Sequence, residues 1–99
     1  EFDLLRAAGR SRRSGPLGLR TVADDELLHP RVAYAIGRNV GSAVVRNRVR
    51  RRLRAVMHAI DTEGAMPSGR HLVVARPECA SATFATLEHH LRLLMDFGA

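Results

Sequence analysis

The sequence contains no lysine and no tryptophan, and its aromatic residues are three phenylalanines and one tyrosine. All sixteen basic residues are arginine. A bias this uniform reads as compositional, so the absence of lysine carries no functional argument; the clustering of the arginines does. The single cysteine, Cys79, excludes an internal disulfide and fits a reducing compartment. No apolar run reaches the roughly 18 residues of a membrane span, and there is no signal-peptide pattern. The expectation is a soluble, cytoplasmic chain with no membrane partner. Catalytic signatures are missing too: there is no GxSxG, no P-loop and no dinucleotide fingerprint. His89 and His90 are adjacent and point apart on a helix, Cys79 has no partner at CxxC spacing, and no HxxxH occurs, so a metal site is not expected. Glu78 and Glu88 form no evident carboxylate pair. The most informative absence is of acidic residues: none occurs from Leu27 through Ile60.

Within that acid-free stretch lies Gly41 to Arg54, GSAVVRNRVRRRLR, in which six of fourteen residues are arginine. Val45, Val49, Leu53, Val56, Met57 and Ile60 fall on one helical arc of roughly 120° at about 100° per residue. Arg46, Arg50 and Arg54 form a row on one flank, with Asn47 beyond it. Arg48 and Arg52 occupy the other flank, and Arg51 points nearly away from the core. Like charges recur at i,i+4 in the pairs 46/50, 50/54 and 48/52, each costing a few tenths of a kcal/mol in an isolated helix. A solvated face usually mixes signs to gain from such pairs. This one implies an external polyanion, in keeping with a net charge of +6.

The run Gly41-Ser-Ala-Val-Val-Arg-Asn-Arg-Val-Arg-Arg-Arg-Leu-Arg54 resembles the signature of the bacterial ribonuclease P protein subunit. Arg46, Asn47, Arg48, Arg50, Arg51 and Arg54 all fall on that signature. The resemblance extends over nearly the whole chain. Glu1 to Ala8 reads as a short helix closed by Gly9, and Phe2 matches an aromatic of the family's first helix. A second aromatic common one turn later is Arg6 here. For Phe2 the core and cleft readings stand equal.

Arg10 to Gly18 is basic and turn-rich, either a loop or a short edge strand, and Leu17 to Ala23 reads as a strand. Asp24-Asp25-Glu26 is an acidic turn. Arg31 to Gly37 alternates as a strand, and Arg38-Asn39-Val40-Gly41 leads into the basic helix, with Ser42 as N-cap. Free amides there, beside Arg38, would suit a phosphate. The helix is expected to run to about Thr62, before Gly64 and Pro67. Arg70 to Ala75 is a strand whose run Leu72-Val73-Val74-Ala75 suggests cover on both faces. Ser81 is expected to open a last helix with Phe84, Leu87, Leu91 and Leu94 on one face. His58 and His71 read as polar surface or RNA-facing groups.

A strand, a helix and another strand suggest a parallel crossover, right-handed by default. The resemblance implies instead the left-handed βαβ crossover of an α/β (α+β) two-layer sandwich, αβββαβα, like the second domain of ribosomal protein S5. Residues 1–99 are expected to form a single RNA-binding domain; since the chain opens at Glu1 without methionine, a short N-terminal piece is expected to be missing. The implied function is that of the protein subunit of ribonuclease P, which assists removal of the 5′ leader of precursor tRNA. The expected partners are ribonuclease P RNA and precursor tRNA, and no DNA. The active site and its Mg2+ would belong to the RNA, with no cofactor bound by the chain alone. RNA contacts would come from Arg46, Asn47, Arg48, Arg50, Arg51 and Arg54, with Arg38 and Asn39 beside them. Phe2, Tyr34 and Phe84 would line a leader-binding cleft. Arg10, Arg12 and Arg13 are further candidates for phosphate. The rivals are a ribosomal-type rRNA-binding protein with no role in cleavage, a DNA-binding basic helix and an anionic-membrane binder. Gly64 and Pro67 leave no room for a zipper after Ile60, against the second; buried strands and few aromatics count against the third.

Overall fold

The structure is a computed structural model that describes residues 10–24 and 27–98. The expected N-terminal helix and Phe2, and two residues of the acidic turn, Asp25 and Glu26, lie outside the described residues. Arg10–Ser14 (β1) and Leu17–Val22 (β2) form an antiparallel hairpin. Between the edge-strand and loop readings of the basic segment, the strand is therefore the one observed. Its turn uses Gly15 at φ 54°, the left-handed region that glycine enters without steric cost.

Arg31–Ile36 (β3), the helix Ala43–Thr62 (α1) and Arg70–Ala75 (β4) follow. β4 pairs parallel with β3 and antiparallel with β2, giving the strand order β1-β2-β4-β3. α1 thus links two parallel neighbours, the crossover expected of the S5-like arrangement. The last helix, α2, spans Phe84–Gly98.

Strand alternation places Leu17 and Leu19 of β2, Ile36 of β3, and Val73 and Ala75 of β4 toward the helices, where all are buried. α1 supplies Val49, Leu53, Val56, Met57 and Ile60, and α2 supplies Leu87, Leu91, Leu94 and Met95. The predicted stripe on α1 is thus the buried one, except that Val45 at its start is only half-buried. Each fully buried aliphatic side chain contributes about 1.5–3 kcal/mol relative to exposure. Leu72, alternating to the opposite face, is also buried, and Val74 on that face is half-buried.

Three expectations change. His71 is 1% exposed and belongs to the interior, not the surface. It sits on the helix-facing side of β4, opposite Thr21 and Val32 in register, with both ring nitrogens hydrogen-bonded, to Thr21 and to Pro67. Ser81 does not open the last helix. Pro77–Ala80 forms a 3-10 turn that ends at Ser81, and Thr83 caps α2 by accepting from the Thr86 amide at 3.1 Å. Phe84, placed on the apolar face by spacing, is 41% exposed. It stands in the first turn of α2, just beyond the Ala82 carbonyl to which Arg52 of α1 donates.

Candidate nucleic-acid interface

α1 begins abruptly because its entry is fixed on both sides. Val40, buried at the end of the Arg38–Val40 3-10 turn, anchors the approach, while Arg38 and Asn39 stay exposed. Gly41 follows at φ 153°, and a Cβ there would meet Cβ of Val45 at 3.0 Å. Ser42 then caps the helix, its hydroxyl accepting from the Val45 amide at 3.3 Å.

The arginines of α1 divide by flank, and the two flanks behave differently. Arg48 donates Nη2 to the carbonyl of Ala80 at 3.0 Å, and Arg52 donates Nη1 to the carbonyl of Ala82 at 3.2 Å. These two side chains tie α1 to the segment preceding α2. On the other flank, Arg50 donates to Oδ1 of Asn47 at 2.9 Å, and the Arg54 guanidinium lies 5.9 Å from the centroid of the Tyr34 ring. Nε of Arg46 is buried without a hydrogen-bond partner. Arg51 is exposed, pointing from the helix toward solvent. Among the described residues no carboxylate pairs with any arginine of α1.

The carboxylates are engaged elsewhere. Arg92 of α2 holds Glu63 through both terminal nitrogens at 2.9 Å and Glu88 through Nε at 3.2 Å. The Arg92 hydrogen bond holds the Glu63 carboxyl below its ordinary range. Arg70 pairs with Asp24, and Arg76 with Glu78. Four carboxylates, those of Asp24, Glu63, Glu78 and Glu88, are thus held by arginines outside α1. Cys79, buried and donating Sγ to the Pro16 carbonyl at 3.3 Å, has its thiol pushed up by burial and is structural. Among the described residues no group of three His, Cys, Asp or Glu is placed to hold a metal ion.

Of the aromatic candidates, Tyr34 and Phe84 lie among the described residues. Tyr34 is half-buried on the helix-facing side of β3, beside Arg54, where burial pushes its phenol up and the Arg54 charge draws it down by less. Phe84 opens α2 two residues beyond Ala82, whose carbonyl Arg52 binds on the flank of α1 opposite Arg54. Arg10 and Arg13 are exposed on β1, and Arg12 is half-buried. The tethering of Arg48 and Arg52 was not foreseen from sequence. Its only advance sign was their position on the flank opposite Arg46, Arg50 and Arg54.

A cationic helix without acidic partners among the described residues, laid on a small mixed sheet, defines a small α+β domain of the nucleic-acid-binding class. Comparison with known proteins gives it a family. The sequence matches the Ribonuclease P family over residues 1–97. It is 39% identical over 103 residues to the ribonuclease P protein component of Mycobacterium bovis, covering 90% of this chain and 88% of that one. It is 43% identical over 68 residues to the Acidothermus cellulolyticus component, covering 68% of this chain and 55% of that one. The fold superposes on the Staphylococcus aureus RNase P protein with a TM-score of 0.88 at 20% identity, covering 98% of this chain and 87% of that one. The Thermotoga maritima RNase P protein gives a TM-score of 0.86 at 20% identity, with 98% and 90% covered. The chain belongs to the bacterial ribonuclease P protein family, the protein subunit of an endoribonuclease ribonucleoprotein that processes tRNA.

Proposed function

We propose that α1 is the surface on which this subunit holds the ribonuclease P RNA, and that precursor tRNA is bound beside it. The carrying observation is the set of arginines on α1 that meets no carboxylate among the described residues. Bringing a catalytic RNA and its RNA substrate together opposes two polyanions. A row of guanidinium groups lowers that repulsion and, with it, the magnesium required. Phosphate contacts position without reading sequence, which suits a protein serving many precursors.

Arg46, Asn47, Arg50, Arg51 and Arg54 are the direct contacts in this reading. Arg48 and Arg52 hold the shape of the face through the Ala80 and Ala82 carbonyls while keeping their charge. Arg38 and Asn39, exposed next to the α1 N-terminus, extend the face to a phosphate there. Phe84 offers a ring on which a base of the single-stranded leader stacks. The chain supplies no catalytic group; the RNA subunit holds the magnesium ions and the reacting phosphate, in the cytoplasm.

The test is precursor-tRNA cleavage by a bacterial ribonuclease P RNA at low magnesium, with and without the chain. Restored cleavage at the correct 5′ position is the expected result. RNA binding without any restored cleavage would overturn the proposal.

A further inference from the structure

Between β3 and the second half of α1 lies a cavity of about 350 Å3 that shares only Arg54 with the proposed RNA face. Its lining includes Tyr34, Arg54, His58 and Asp61, together with Met57 and Met66. The volume falls at the small end of ligand pockets, roughly 300–1,000 Å3. Met57 is buried and Met66 half-buried, giving a soft apolar floor beneath a polar rim. Arg54 belongs both to this rim and to the Arg46–Arg50–Arg54 row, so a strand tracked by that row arrives at the cavity mouth.

We propose that this cavity receives one unstacked nucleobase of the bound RNA. The inference rests on the reading of α1 as the RNA face. A phosphate alone does not fit the site, because Asp61 would repel it. A base fits each group. One of its faces finds the Tyr34 ring or the Arg54 plane, which stand 5.9 Å apart, and its apolar edge finds the methionines. Its ring N–H and exocyclic amino groups donate to Asp61, an edge that guanine presents and uracil lacks in full. The Tyr34 cavity and Phe84, on opposite flanks of α1, are separate base sites.

The experiment compares two five-nucleotide RNA strands with identical phosphates. One carries a single central guanine flanked by abasic sugars, and the other is abasic throughout. The full chain is expected to bind the guanine strand about tenfold more tightly. The Met57 and Met66 methyl resonances should shift with that strand only. Tyr34→Leu keeps an apolar side chain in place of the ring and should abolish the preference, while Asp61→Asn should weaken it. Equal, salt-dependent binding of both strands would overturn the cavity and leave the arginine face standing. Binding of neither strand would overturn both. A preference that survives in Tyr34→Leu, or one without methyl shifts in the unaltered chain, would place the base elsewhere and also overturn the proposal.

Discussion

The imidazole of His71 donates Nε2–H to the carbonyl of Pro67 at 2.9 Å, and a carbonyl that can only accept fixes which nitrogen carries the proton. Nδ1 is then left to accept from the Thr21 hydroxyl at 3.1 Å, so the neutral ring is fully satisfied in the interior. Burial pushes its pKa below the ordinary 6.5, and the Pro67 bond opposes that by less. The unfolded chain therefore binds this proton more tightly than the folded one. Stability contributed here is complete above about pH 6.5 and falls as pH drops from there toward the folded-state value. Denaturant unfolding between pH 7.5 and 5 should show this loss, and His71→Gln should reduce the pH slope relative to the unaltered chain. Identical slopes would refute it.

Gly41 should tolerate no side chain. At φ 153° with Val45 Cβ at 3.0 Å from an added Cβ, Gly41→Ala combines backbone strain with a clash at the first turn of α1. A loss of about 1–3 kcal/mol is expected in chemical denaturation. A loss below 0.5 kcal/mol, by the usual scale of surface substitutions, would show that the turn relaxes freely.

Two neighbours on α1 should separate binding from stability. Arg51 is exposed, whereas Leu53 is fully buried. Arg51→Ala should leave unfolding unchanged and flatten the slope of log affinity against log salt by about 0.7–0.9, the effect of one phosphate contact. Leu53→Ala should cost about 2–5 kcal/mol of stability. Unaltered salt slopes in both Arg51→Ala and Arg54→Ala would remove this face from the RNA interface.

Phe84 should act on the precursor and not on the mature product. The residue is 41% exposed at the start of α2, within reach of a bound strand. Phe84→Ala should weaken binding of precursor tRNA to the reconstituted enzyme by about 1–3 kcal/mol, the worth of one stacked base, with little change for mature tRNA. Equal losses for both would mark Phe84 as a packing residue.

What the sequence determined by itself is what repeats locally. The four-residue spacing of Val45, Val49 and Leu53, the Ser42 cap and the glycine and proline after Thr62 set α1 and its buried side, because helix periodicity and capping act over a few residues. The alternation in Arg31–Ile36 and the apolar run in β4 set strands for the same reason. The signature from Gly41 to Arg54 was specific enough to indicate the family. The tertiary structure alone decided which arginines of α1 are tethered to the rest of the chain. Arg48 and Arg52 reach carbonyls about thirty residues away, and no local pattern encodes an acceptor brought in by the chain's return. The same holds for His71, whose ring is hydrogen-bonded to Thr21 across the pairing of β4 with β2, and for Tyr34, set beside Arg54 by the side of the sheet on which α1 packs. Contacts between segments distant in sequence depend on how the layers meet, and that is fixed only once the whole core closes.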